Sequence, residues 1–334
     1  MDILGVKYPN INAKLKGMYA KRITKSDLED LLKQSNLKNA VLLLRSKCEI
    51  FKEVDENIDR LEIESLLEEN QIEDILKILK LLKEKDKELF QIFLLQYEIK
   101  CVKSIFRKLF SNDKTDDIIV QNVKRWTVTL FEDIKGIETV QNFEQFFSAI
   151  KRMKYNKALI KYKEKDNINV FEVENEMDKL YFETLYDRVK TKANLKKIVG
   201  SEIDLLNVLW IFRVKKYYNF EKEKLKQILI NRNYKLNSNI IEKLIKTNSY
   251  EELKEIMQQT IYKDIFKEEM DIENNIDKYL YWVNKKIFKN DTTSIAYIFA
   301  YVNLIDYENN DIINIIEGIR YNMKKQEILK TLVR

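Results

Sequence analysis

The sequence predicts an all-α chain built from three copies of one helical unit, and three observations carry that expectation. A ten-residue segment occurs three times: Glu98-Ile-Lys-Cys-Val-Lys-Ser-Ile-Phe-Arg107, Asp204-Leu-Leu-Asn-Val-Leu-Trp-Ile-Phe-Arg213 and Asp311-Ile-Ile-Asn-Ile-Ile-Glu-Gly-Ile-Arg320. Each opens on an acid and ends on an arginine, and the arginines follow one another at intervals of 106 and 107 residues (213 against 107, 320 against 213). Within each copy the second, fifth and ninth residues are apolar (Ile99, Val102, Phe106; Leu205, Val208, Phe212; Ile312, Ile315, Ile319). At roughly 100° per residue these fall within an arc of about 60°, one buried stripe of a helix, whereas a strand scatters them over both faces. Finally, the chain has only 5 Gly and 1 Pro in 334 residues, too few turn formers for a sheet protein.

Taken in order, Pro9 opens a first helix over Tyr8 to Met18. Ser26-Asp-Leu-Glu29 has the form of a capping box and starts a second. Ile72 to Phe110 is apolar with helical period, and the charged break Lys83 to Glu88 divides it into two antiparallel helices rather than one coiled coil. Ser111 to Asp116 and Lys163 to Asn169 read as polar connections. Asn231-Arg-Asn-Tyr-Lys-Leu-Asn-Ser-Asn239 reads as a loop, and Asn290 to Ser294 as the cap of the apolar helix that follows. A second set of matches supports the repeat. Phe143, Phe146, Ile150 and Tyr155 parallel Tyr250, Leu253, Met257 and Tyr262, with Leu28, Leu32 and Leu37 as their counterparts in the first copy. A third set, Glu56 to Arg60, Asn175 to Lys179 and Asn274 to Lys278, lies between these helices and the arginine segments, in the same order each time. The expected domains are therefore residues 1–112, 113–219 and 220–334.

In each ten-residue segment the acid is expected to open the helix, capping free N–H groups at the positive end of its dipole. The arginine nine residues on lies about 180° round the helix from that acid, so the two do not pair within one helix. Two readings of Arg107, Arg213 and Arg320 stand: related positions facing a shared partner, or solvated and locally paired side chains.

Composition narrows the function. Sixty basic and 54 acidic residues leave a net charge of +6 spread along the chain. The densest basic run, Arg188 to Lys197, reads as a solvated helix face, so an RNA-binding reading rests on little. With no histidine, imidazole catalysis and His-ligated metals are excluded. Cys48 and Cys101 form no CxxC and read as buried thiols of a cytoplasmic protein. The glycines are isolated, so no phosphate loop is present, and the longest apolar stretch, Ile295 to Ile305, is too short to span a membrane. Trp126, Trp210 and Trp282 lie among apolar neighbours and are expected to fill cores. These features describe a non-catalytic helical protein that needs no cofactor or metal and works by binding other proteins, a repeat scaffold in the plainest reading.

The order of the motifs adds a sharper expectation. The opening Tyr8-x-Asn-x-Asn-Ala-Lys-Leu-Lys-Gly-Met18, the run Asp204-x-x-Asn-Val-Leu-x-Ile-Phe-Arg-x-Lys215, the Tyr234-Lys-Leu236 loop and the ending Ile312 to Val333 resemble the central-stalk subunit family of V-type and A-type ATPases, the C subunit of bacteria and archaea and the d subunit of eukaryotes. The resemblance covers nearly the whole chain. It implies three helical-bundle repeats related by a pseudo-threefold axis and forming a funnel. It also implies a rotor part on the cytoplasmic face of the membrane: a socket that joins the central-shaft subunits to the membrane proteolipid ring for H⁺ or Na⁺ transport, without a membrane span, nucleic acid or catalysis of its own. Lys14 stands where the family often has Arg, and Asn233 where it usually has Gly before the Tyr-x-Leu loop.

Overall fold

The computed structural model describes residues 8–55, 58–110, 116–163, 168–217, 221–267 and 272–334, and among these it contains helices and no strand. In chain order the α-helices are α1 (Pro9–Tyr19), α2 (Lys25–Leu31), α3 (Leu37–Lys47), α4 (Arg60–Leu81), α5 (Glu84–Lys108), α6 (Asp116–Thr129), α7 (Phe143–Ala149) and α8 (Asn156–Leu159). They continue with α9 (Val170–Val189), α10 (Ala193–Tyr217), α11 (Lys222–Ile228), α12 (Ser238–Lys246), α13 (Tyr250–Gln258), α14 (Ile272–Asn290), α15 (Ala296–Arg320) and α16 (Lys325–Thr331). The chain packs as two compact units, Met1–Lys83 with Met257–Arg334, and Glu84–Ile256. This division by packing differs from the division by internal similarity at residues 1–112, 113–219 and 220–334.

Several helix starts follow from local chemistry. Pro9 sits at the start of α1, where its missing N–H is not needed. The capping box of α2 forms two residues earlier than the sequence pattern implies. Thr24, not Ser26, accepts from the Asp27 N–H, and Asp27 returns the bond to the Thr24 backbone. Threonine won because its backbone is extended there, as an N-cap requires. Asn36 and Asn142 cap α3 and α7 by accepting from Asn39 and Gln145, each at 2.9 Å, and the Ser249 hydroxyl accepts from Glu252 at 3.2 Å as α13 begins. These helices start at Leu37, Phe143 and Tyr250, at the same intervals of 106 and 107 residues as the arginines. Their buried positions correspond as Ala40, Phe146, Leu253 and as Leu44, Ile150, Met257. The first copy thus enters the series at Leu37, Ala40 and Leu44 rather than at Leu28, Leu32 and Leu37. Of the polar connections, 111–115 and 164–167 lie outside the described residues, as do Glu56 and Asn57.

In the unit formed by the two chain ends, α15 is the central element, packing on α14, α4, α1, α3 and α16. Its run Ala296–Val302 is wholly buried. The Asn290–Ser294 cap forms only in part: α15 has Ile295 at its N-cap with no side-chain bond, the Ser294 hydroxyl accepts from the Ala296 N–H, and the Asp291 carboxylate ties the loop itself by accepting from the Thr293 and Ser294 N–H groups. Ile312, Ile315 and Ile316 close a core with Leu28, Leu31, Val41, Leu44, Phe51, Ile63 and Leu67. In the other unit α5 packs on α6 and α9, and α10 packs on α9 and α12. Tyr97 stacks on Trp126 at 4.9 Å, and Phe106 meets Phe143 and Phe146. Trp126 and Trp210 fill cores, whereas Trp282 is 50% exposed, against expectation. Cys101 is buried and Cys48 half-buried.

Candidate functional site

The repeated ten-residue segments form the C-terminal parts of the three 25-residue helices α5, α10 and α15. Their apolar stripe is buried as predicted, with Phe212 alone half-exposed. The acids, however, do not open helices. Glu98, Asp204 and Asp311 all lie within a helix, well past its first turn, where no free N–H of their own helix remains to be capped.

Asp204 and Asp311 instead cap other segments of chain. The Asp204 carboxylate, 1% exposed, accepts three backbone N–H bonds, from Tyr234 at 2.9 Å, Lys235 at 2.6 Å and Leu236 at 3.1 Å. One turn on, Asn207 donates to the Ile230 carbonyl at 3.1 Å and accepts from its N–H at 2.9 Å. Asp311, fully buried, accepts from the Val333 N–H at 2.8 Å and the Arg334 N–H at 3.3 Å, and Asn314 donates to the Thr331 carbonyl at 3.2 Å. Asp-x-x-Asn is therefore a clamp on one helix face that grips a returning segment by its backbone. A buried carboxylate tolerates its site only with such donors around it. The returning segments are alike too: α11 and α16 each end on a leucine with extended backbone, Leu229 and Leu332. Asn233 needs no glycine, since Asn322 is the only non-glycine residue with positive φ among the described residues.

The first copy has Glu98 and Cys101 in place of Asp and Asn, and here the carboxylate accepts from the Tyr155 hydroxyl at 2.9 Å. Burial raises the Glu98 carboxyl above its ordinary value, and the bond from Tyr155 only partly offsets this. Ionising Glu98 costs the folded state, so its unfavourable contribution is absent below the ordinary carboxylate range. It grows as pH rises from there to the raised value, and is full above it. Glu98→Gln, which keeps an acceptor for Tyr155, is expected to remove that slope. Urea midpoints of both proteins across this pH range measure it, and parallel curves would show that Glu98 titrates normally.

The unit containing α15 also holds a buried ion cluster that the sequence did not announce. Arg22, in the turn after α1, donates to Glu308 at 2.8 Å and Asp74 at 3.3 Å. Arg334 donates to Glu308 at 3.1 Å, Asp311 at 3.0 Å and the Ile23 carbonyl at 3.0 Å. The Tyr301 hydroxyl donates to Asp74 at 2.8 Å, and its pKa is driven upward by burial and by that carboxylate. Burial alone lowers the Arg22 pKa, but Glu308, Tyr301 and Asp74 outweigh it and hold the guanidinium above its usual value. All five charged side chains are at most 9% exposed. Two cations and three acids from α4, α15 and two chain segments are thereby fixed together.

The three arginines differ in their surroundings. Arg107 is exposed and makes a two-pronged pair with Glu174 of α9, its Nη2 at 2.7 Å from Oε2. It borders a cleft of about 330 Å³ between α5 and α9, lined also by Lys100, Lys103, Asp178, Tyr181 and Phe182. In that cleft burial raises the Asp178 carboxyl in spite of its ion pair with Lys103. Arg213 is half-buried on α10. Arg320 is exposed, 3.7 Å from Glu317, with its guanidinium over the Tyr321 ring at 5.4 Å. The Arg188–Lys197 run spans the turn between α9 and α10 and is largely exposed.

Among the described residues no helix is long and apolar enough to cross a membrane. Comparison with known proteins agrees with the motif order. Residues 11–331 match the family described as ATP synthase (C/AC39) subunit. The chain is 26% identical over 178 residues to the C subunit of the A-type ATP synthase of Methanosarcina barkeri, covering 52% of this chain and 47% of that protein. It is 24% identical over 255 residues to the same subunit of Methanococcoides burtonii, covering 72% and 70%, and 22% identical over 230 residues to that of Pyrococcus horikoshii, covering 67% and 60%. The chain spans about half the length of the Methanosarcina relatives it matches. With the family matched from the first helix to the last, the chain belongs to the ATP synthase (C/AC39) subunit family.

Proposed function

We propose that this chain is a non-catalytic rotor subunit of an A/V-type ATPase, a socket that receives the central-shaft subunits and rests on the membrane proteolipid ring at the cytoplasmic face, coupling ATP turnover to H⁺ or Na⁺ movement. The family match over residues 11–331 carries the reading. A part that transmits torque must resist bending, and the buried clamps and ion cluster favour this: each ties helices to distant chain segments by directional bonds that a purely apolar contact lacks. Three repeats, 1–112, 113–219 and 220–334, belong to the same reading, supported by the recurrence of helix starts and arginines at 106 and 107 residues. Mixing the purified chain with the shaft subunits and, separately, with ring-containing membranes tests the proposal. Association with both is expected, and failure to bind either overturns it.

In this reading Arg107, Arg213 and Arg320 contact the shaft. Replacing each with alanine is expected to weaken shaft binding by about 1 kcal/mol or more per site, as for charge pairs at an interface, while shifting thermal stability little at the exposed Arg107 and Arg320. Pull-down titrations beside melting curves separate the two effects. Unchanged assembly in all three variants would leave them as local surface pairs.

A further inference from the structure

Helices α9 and α14 share a register over much of their length, and a stripe that binds the chain's own segment on α9 carries an exposed tryptophan and lysines on α14. The signatures Asn175-Glu-Met-Asp-Lys179 and Asn274-Asn-Ile-Asp-Lys278 set a spacing of 99 residues (274 against 175). Burial keeps that register at five positions, Val173 with Ile272, Met177 with Ile276, Tyr181 with Leu280, Phe182 with Tyr281 and Val189 with Phe288, all ten buried, and departs from it near the C-terminal ends, where exposed Arg188 stands against buried Ile287.

On α9 the side chains at 179, 183, 186 and 187 seat the end of α11 and the segment that follows it. Lys179 donates to the Gln227 carbonyl, Glu183 accepts from the Asn231 N–H at 3.0 Å, the Tyr186 hydroxyl donates to the Asn233 carbonyl at 2.7 Å, and Asp187 pairs with Arg232 at 2.6 Å. These positions are spaced i, i+4, i+7 and i+8, one stripe of the helix. Their counterparts on α14 are Lys278, Trp282, Lys285 and Lys286. Trp282 is 50% exposed, Lys285 and Lys286 are exposed and Lys278 is half-exposed. Lys286 lies over the Trp282 ring at 5.0 Å, and Tyr279 flanks it with ring centroids 6.4 Å apart.

We propose that this α14 face is a docking surface for an extended acidic segment of a partner protein. The occupant is a polypeptide because the equivalent stripe seats one, partly through backbone carbonyls. On α14 Asn274 makes one such bond within the chain, to the Lys330 carbonyl, and Lys278 one turn on offers a further donor. It is acidic because the polarity of the stripe is reversed. Where α9 places Glu183 and Asp187 to receive an N–H and a guanidinium, α14 places an aromatic ring and a lysine. A carboxylate meets Lys286, and Lys285 beside it, whose Nζ donates to the Tyr281 hydroxyl at 3.1 Å, adds positive charge; an aliphatic side chain covers the Trp282 ring, and tryptophan is a residue type enriched at interface hot spots. The proposal does not depend on the rotary reading, since any partner with this chemistry fits.

The test uses the full chain and a fluorescein-labelled synthetic peptide of alternating Glu and Leu, followed by anisotropy at low and high salt. Binding at low salt that weakens with salt is expected, and Trp282→Ala/Lys286→Glu should weaken it about tenfold or more. Both residues are exposed, so circular dichroism and melting curves of the variant should match the parent. Phosphatidylglycerol vesicles and a single-stranded RNA serve as competing probes. No peptide binding, equal binding by the variant, or variant-sensitive binding of vesicles or RNA that exceeds binding of the peptide each overturns the proposal.

Discussion

Arg22→Met is expected to destabilise the chain by about 3 kcal/mol, the scale for removing one partner of a buried ion pair. The methionine fills most of the arginine's volume, so little of the loss is packing. What remains is electrostatic. Asp74 keeps only Lys77 at 3.3 Å and the Tyr301 hydroxyl, while Glu308 keeps Arg334. With Arg334→Met added, Asp74, Glu308 and Asp311 all stay buried without a guanidinium, and the combined loss should exceed that of either change alone. The sign of the balance can be checked independently. Adding Glu308→Gln to Arg22→Met removes a buried charge and should recover part of the loss, because the cost lies in the stranded carboxylate rather than in the missing contact. Urea unfolding of the parent, the two single variants and the two double variants measures these losses. A deficit below about 1 kcal/mol for Arg22→Met would show that water reaches the cluster and screens it.

Asp204→Ala is expected to cost about 3 kcal/mol or more and to release the loop after α11. Three N–H donors lose one charged acceptor, and hydrogen bonds to charged groups are worth roughly 1.5–3 kcal/mol each, reduced here because Lys235 can turn to water. Asp204→Asn retains one acceptor oxygen and should lose less. Gly200→Ala probes the same seat without touching charge. A Cβ at Gly200 would lie 2.6 Å from the Tyr234 Cβ, closer than carbon atoms approach, so the loop must lift. If the clamp orders the loop, both Asp204→Ala and Gly200→Ala raise amide hydrogen exchange from Ile230 to Leu236 ahead of global unfolding. Exchange unchanged in either variant would mean that apolar packing of Leu229, Ile230 and Leu236 holds the loop unaided.

The sequence by itself determined the helical class, the phase of each buried stripe, the spacing of the repeat and, through the order of its motifs, the family. These are legible because helical periodicity and N-caps involve residues only a few positions apart, so the pattern and the interaction it reports occupy the same short window. Asn142 before Phe143, and Asn237 before Ser238, act where they stand in the sequence. Other properties were decided by tertiary structure alone. An acid before an apolar stripe reads as a helix start, and Asp204 and Asp311 match that pattern, yet their partners are backbone groups 22 to 32 residues away. The signal that would have corrected this was present in Asp-x-x-Asn, which places two polar groups one turn apart on a helix otherwise being buried; only a returning segment satisfies both. Arg22 and Arg334 look like surface cations in a chain with 60 basic residues, and nothing local distinguishes them. They are buried because Asp74, Glu308 and Asp311 converge on them from distant positions, and the cost of desolvating a charge is met only in the assembled fold. Trp282 shows the converse: its neighbours in sequence are apolar, but its direction on α14 carries it outward, and that direction follows from which face of the helix lies on α15.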